Sequence, residues 1–189
     1  MYCGSGSGSN DIFISQAKKL GRMLAGENIG LVYGGASIGM MGAVADSVLE
    51  NGGEVTGVIP KKIVDLEIAH RQLTELKIVD GMHERKAAMA ELGDAFIALP
   101  GGFGTLDEIF EVLTWSQLGL HQKPCAMLSV NGYFDDILSF IKKAEDNGFI
   151  RDEHRQLLLV GDTPEQLLYA IQERWNQQPG KKINPFPKV

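Results

Sequence analysis

One carboxylate and a run of glycines stand out as residues that could do chemistry. They share the stretch Ala95-Phe96-Ile97-Ala98-Leu99-Pro100-Gly101-Gly102-Phe103-Gly104-Thr105-Leu106-Asp107-Glu108. Its apolar opening reads as a strand buried on both faces. Pro100 has no N–H to give to a ladder and ends that strand. The glycines let the backbone turn tightly and leave peptide N–H groups uncovered by side chains. Thr105 and Glu108 have capping-box spacing, which predicts a helix starting there and running through Trp115 to Gly119. A strand, a glycine turn and a helix N-terminus together make a site for an anion, most often phosphate. Glu108 then admits two readings. As a cap it reaches back to the Thr105 N–H; as a chemical group it serves a part of the ligand other than the phosphate, which it would repel. The two can alternate, the cap being released when substrate arrives.

The second concentration of charge is Met82-His83-Glu84-Arg85-Lys86. Arg85 and Lys86 fall in the first turns of a helix, where the dipole disfavours cations. A solvated face, with Arg85 or Lys86 paired to Glu91 or Asp94, is the plain reading. The misplaced charge supports another, in which the basic pair meets a phosphate or a carboxylate across a sheet edge. Arg85 could give a two-pronged contact either to phosphate or to Glu108.

These residues need elements to hold them. Asn10 or Asp11 opens a helix whose Ile14, Ala17, Leu20 and Leu24 recur at helical spacing, closed by Gly26. Ile29 to Tyr33 is a short buried strand, followed by a second glycine turn, Gly34-Gly35-Ala36-Ser37-Ile38-Gly39-Met40-Met41-Gly42, and another helix. Glu54 to Pro60 is the next strand, Lys61 to Arg71 a short helix or loop carrying Glu67 and His70, and Glu75 to Val79 a strand. Pro124 to Leu128 and Leu157 to Val160 read as later strands, with a helix over Tyr133 to Glu145. Thr163-Pro164 is a clean helix start. Alternating strands and helices predict an α/β fold: a single-domain, Rossmann-like parallel sheet flanked by helices. The domain spans 1–175, and 176–189 is a polar, Pro/Lys-containing C-terminal tail. The glycine turns then share the carboxyl edge of the sheet, where open α/β folds bind ligands.

What is missing narrows the chemistry. Gly34 and Gly35 occupy the region where a dinucleotide fold wants a ribose-binding acid, and no glycine turn ends in Gly-Lys-Ser/Thr. Nothing marks a Schiff-base lysine for pyridoxal chemistry. The four His residues show no ligand spacing. Neither a metal nor a cofactor is expected. A chain of 189 residues with 44% hydrophobic and 22% charged content suits one soluble globular domain. Its net charge of −6 argues against nucleic acid as a partner. Two cysteines without a framework, and no apolar run of membrane-spanning length, point to a reducing, cytoplasmic setting with no membrane partner.

Three segments together resemble the Lonely guy (LOG) family of cytokinin-activating phosphoribohydrolases, whose relatives were long labelled lysine decarboxylases. They are Tyr33-Gly34-Gly35 with Gly39-Met40-Met41-Gly42, then Met82-His83-Glu84-Arg85-Lys86, then Pro100-Gly101-Gly102-Phe103-Gly104-Thr105-Leu106-Asp107-Glu108. The similarity runs from Tyr2 to about Trp175. It implies hydrolysis of the N-glycosidic bond of an N6-modified adenosine 5′-monophosphate, giving the free base and ribose 5-phosphate, with plain AMP often accepted. It implies a homodimer with sites near the subunit interface. Arg85 and Glu108 match the catalytic pair, and Lys86, the turn from Gly101 to Asp107, Glu67 and Thr114 match substrate-contacting positions. Gly34 and Gly35 line the same expected site. Relatives carry several apolar residues ahead of Tyr2-Cys3-Gly4-Ser5, whereas Met1 here falls inside the first strand. Either that strand is short or the start lies upstream. A non-catalytic nucleotide or cofactor carrier would keep the glycine turns but could dispense with Arg85 and Glu108.

Overall fold

The computed structural model describes residues 1–64 and 69–177. Elements alternate as expected: α1 (Asp11–Gly26), β1 (Leu31–Tyr33), α2 (Gly39–Glu50), β2 (Val55–Pro60), β3 (Glu75–Val79), α3 (Met82–Leu92), β4 (Phe96–Ala98), α4 (Phe103–Gln117), β5 (Cys125–Leu128), α5 (Asp135–Asp146), α6 (Asp152–Arg155), β6 (Leu158–Gly161) and α7 (Pro164–Asn176). Local signals account for several boundaries. The Asn10 side chain accepts the Ile12 N–H at the start of α1, and Thr163 accepts the Gln166 N–H ahead of Pro164 in α7. Strands β4 and β5 are buried along their whole length, as runs without alternation require when helices cover both faces.

Among the described residues the paired strands all run parallel. They form two three-stranded ladders, β1-β2-β3 and β4-β5-β6. Residues 1–3 join them. Tyr2 bridges Ala98 in parallel, its N–H donating to Ile97 at 2.9 Å and its carbonyl accepting from Leu99 at 2.9 Å. The Met1 nitrogen donates to the Val32 carbonyl on the other side. The two apolar clusters meet here as well: Cys3 packs with α1, α2 and β1, while Tyr2 packs with Phe96, Ile109 and Val112. The turns after residue 3, β1 and β4 therefore meet at one carboxyl edge, at the centre of the layered sheet.

Glu67 falls in 65–68 and lies outside the described residues, as does the expected tail 176–189 from residue 178 onward, while Asn176 ends α7. Among the described residues no helix is long and apolar enough to cross a membrane.

Candidate active site

The third glycine turn departs from the expected geometry in its helix start. Helix α4 begins at Phe103, with Gly102 as N-cap and no side-chain cap. Thr105 is thus the third helical residue and Glu108 the sixth. The capping box is not formed, because its three-residue spacing is also the ordinary spacing of neighbours inside a helix. Thr105 is therefore not the N-cap that the capping box requires. The earlier start leaves the first N–H groups of α4 without intrahelical partners, since the first such bond runs from Leu106 N–H to Gly102.

Two glycines in this turn have different duties. A β-carbon at Gly101 would collide with the Thr105 hydroxyl and lie 2.7 Å from the Gly4 nitrogen. Thr105 is buried against it. Gly102 and Gly104 face open space, with nothing within 4 Å of a β-carbon built on either. Phe103 between them is 93% exposed. Leu106 is half-buried and Asp107 is exposed. The result is a bare backbone surface over the end of a helix, of the kind that accepts an anion.

Arg85 and Glu108 are both buried, unusual for such side chains. Arg85 donates through Nε to Val58 at 3.1 Å and through Nη2 to Gly34 at 3.3 Å, so its head is fastened to β2 and to the turn after β1. A β-carbon at Gly34 would collide with the guanidinium. Gly34 thus makes room for Arg85. Gly35 has φ of 84° and accepts the His70 N–H at 2.9 Å, and the His70 ring reaches Asp46 at 2.8 Å. Gly34 and Gly35 are buried and shape the wall that holds the arginine.

Both charges are felt at one buried atom. Burial, with a smaller part from the Glu108 carboxylate, pushes the Cys3 thiol up to about 12 against the opposing pull of the N-terminal ammonium and the Arg85 guanidinium. Cys125 is likewise pushed up to about 12 by burial. Neither thiol is a nucleophile at neutral pH.

Lys86 is paired, but not with the expected residues. Its Nζ lies 2.9 Å from Glu111 and 3.2 Å from Asp107, tying α3 to α4. Glu91 and Asp94 are not its partners, because residue 86 turns toward α4, whereas Glu91 lies in the last turn of α3 and Asp94 beyond its end. Thr114 is exposed and donates back to the Phe110 carbonyl at 2.8 Å. It shares a shallow groove on α4 with Leu106, Asp107, Phe110, Glu111 and Trp115. Glu111 escaped the sequence reading, although it stands one turn from both Asp107 and Glu108. A second cavity, about 360 Å3, lies elsewhere, at the amino ends of β1 and β4 beside Gly30, Glu54 and Asp94. Its lining includes neither the glycine turns nor Arg85 and Glu108. No cluster of three metal-ligating side chains occurs among the described residues.

Fold and site define a class: a Rossmann-like α/β protein with a buried arginine and a buried glutamate at the carboxyl edge of its sheet. Residues 41–171 match the family described as "Possible lysine decarboxylase". Curated relatives give it a more specific place. A probable cytokinin riboside 5′-monophosphate phosphoribohydrolase from Oryza sativa subsp. japonica is 47% identical, over 92% of this chain and 71% of its own. A cytokinin riboside 5′-monophosphate phosphoribohydrolase from Arabidopsis thaliana is 46% identical, over 92% of this chain and 80% of its own. The chain belongs to the LOG family of phosphoribohydrolases. Among solved structures, the molybdenum cofactor binding protein of Rippkaea orientalis superposes with a TM-score of 0.69 at 22% identity, covering 90% of this chain and 93% of that one. The Moco carrier protein of Chlamydomonas reinhardtii gives 0.71 at 19%, covering 93% and 95%. At those identities the likeness is one of fold.

Proposed function

We propose that this protein hydrolyses the N-glycosidic bond of adenosine 5′-monophosphates bearing N6 substituents, releasing the free base and ribose 5-phosphate. Family membership at 46–47% identity supports the reaction. One observation carries the assignment of residues: Glu108 is buried in the second turn of α4, beside the bare glycine turn that starts the helix.

The chemistry follows from the bond to be broken. Loss of the base from C1′ passes through an oxocarbenium-like transition state, whose positive charge a carboxylate stabilises. Water then supplies hydroxide to C1′ and one proton, and the departing base takes up one proton. Glu108 faces the cation and accepts from the attacking water. The 5′-phosphate rests on the N–H groups of the Gly101 to Thr105 turn, so the ribose is anchored at the end away from its reacting carbon. Arg85, fixed by two carbonyls, offsets the buried carboxylate and presents its remaining N–H groups to the nucleotide. Leu106, Asp107 and Thr114 border the groove in which the rest of the substrate lies, and Lys86 sets the spacing of the two helices. Gly34 and Gly35 contribute as the wall behind Arg85.

Association belongs to the same reading. The outward side of α4 carries half-buried Leu106, Phe110, Leu113 and Trp115, and Leu118 and Leu120 beyond it are 65% and 70% exposed. So much apolar surface beside a site marks an interface. The protein is a homodimer packed through this face, in the cytoplasm, where its two free thiols stay reduced. The experiment is an assay of free base released from a panel of N6-substituted and plain adenosine monophosphates. Release from none of them would sink the proposal.

A further inference from the structure

Three successive carbonyls of the turn, at Pro100, Gly101 and Gly102, each meet a different donor. Pro100 accepts the Gly4 N–H at 3.1 Å, from the first glycine turn, and Gly102 accepts the Leu106 N–H at 3.2 Å, inside α4. The Gly101 carbonyl accepts the Tyr133 hydroxyl at 2.8 Å, across 32 residues of sequence. Nothing in the periodicity of the sequence marks Tyr133. It stands in the loop after β5, where Asn131 and Gly132 have left-handed φ of 52° and 70°. Its ring is held edge-on by Phe134 at 5.1 Å and by Phe13 of α1 at 5.6 Å. Phe13 in turn lies against Gly8, where a β-carbon would come within 2.8 Å of its ring.

The peptide plane gives this bond its meaning. In a trans peptide the carbonyl of one residue and the N–H of the next point in opposite directions, and no peptide among the described residues is cis. Holding the Gly101 oxygen toward Tyr133 turns the Gly102 N–H the other way, toward the open face of the turn. Released, the same peptide could rotate and put a carbonyl oxygen where an anion would sit. Glycines on both sides of that peptide offer little steric resistance to rotation. We propose that Tyr133 is a positioning residue for the phosphate cradle: its hydroxyl fixes the Gly101–Gly102 peptide with N–H toward the nucleotide. This rests on the reading that the turn from Gly101 to Thr105 holds the 5′-phosphate.

The test is Tyr133→Phe, which keeps the ring and its packing and removes only the donor. AMP and adenosine are compared as substrates, and inorganic phosphate as an inhibitor, each below the melting midpoint of the protein used. In the variant the KM for AMP and the inhibition constant for phosphate rise about three- to tenfold, the range expected for one lost hydrogen bond. The ratio of kcat/KM for AMP over adenosine falls by the same factor, while kcat for AMP changes less. A loss of stability alone would lower the melting midpoint and leave that ratio intact. An unchanged ratio with unchanged phosphate inhibition overturns the role of Tyr133. A wild-type protein that neither prefers AMP to adenosine nor responds to phosphate instead overturns the cradle itself.

Discussion

The Arg85 guanidinium occupies the space that a side chain at residue 34 would fill, and it donates to the Gly34 carbonyl at 3.3 Å. The glycine turn after β1 is thereby a seat for a cation. Gly34→Ala is expected to move Arg85 and lower kcat about a hundredfold, the size of effect that a displacement of about 1 Å produces. Steady-state kinetics beside a thermal melt check this. A variant of full activity would mean that the guanidinium can leave its seat without consequence.

Glu108→Gln should keep the fold and nucleotide binding and lose about 10²–10⁴ in kcat. The helix start makes this a clean experiment. Since Gly102 is the N-cap of α4 and Glu108 lies in the second turn, the substitution leaves the N-cap residue unchanged. Binding of AMP by titration and turnover by base release separate the two properties, and retained turnover would return Glu108 to a structural role.

Lys86 gives a dependence on pH. Hydrogen bonding to Glu111, with a smaller part from Asp107, raises its pKa against an opposing desolvation. A folded pKa above the unfolded one stabilises the protein fully below the unfolded value and ceases to do so as pH rises through the folded value. The difference in melting temperature between wild type and Lys86→Met is therefore expected to be constant at about pH 7–9 and to shrink above the ordinary lysine pKa of about 10.4. A difference that grows in alkali would show that the brace between α3 and α4 is not ionic.

Val112 and Phe110 separate folding from association. Taken from the helix pattern alone, Val112 is an apolar residue that could face a second subunit. The structure corrects this, for Val112 is 1% exposed and packs in the chain's own core with Ile109 and Met127. Val112→Asp is expected to unfold the protein, because an unpaired carboxylate in that core is expensive. Phe110 stands nearly opposite on α4, in the outer groove. Phe110→Asp is expected to give a folded monomer with reduced activity, read by light scattering and circular dichroism. A Phe110→Asp protein that stays dimeric would place the interface on another face.

Much of this molecule follows from local sequence. Asn10, Thr163 and Pro164 start helices because short-range hydrogen bonds and a fixed φ act within one turn. The apolar run at 96–98 is a buried parallel strand because its pattern has no polar face to give to water. The motifs around Arg85 and Glu108 carry the family with them. The tertiary structure alone decided what those residues touch. The start of α4 moved two residues ahead of Thr105, because residues three apart are neighbours both across a cap and within a helix. Arg85 turned to the carbonyls of Val58 and Gly34, 27 and 51 residues away, Lys86 to Asp107 and Glu111, and Tyr133 to Gly101. Period and turn chemistry are properties of a few consecutive residues and can be read there. Partners distant in sequence are chosen by how the layers pack, which brings the three glycine turns to one edge only when residues 1–3 enter between β1 and β4.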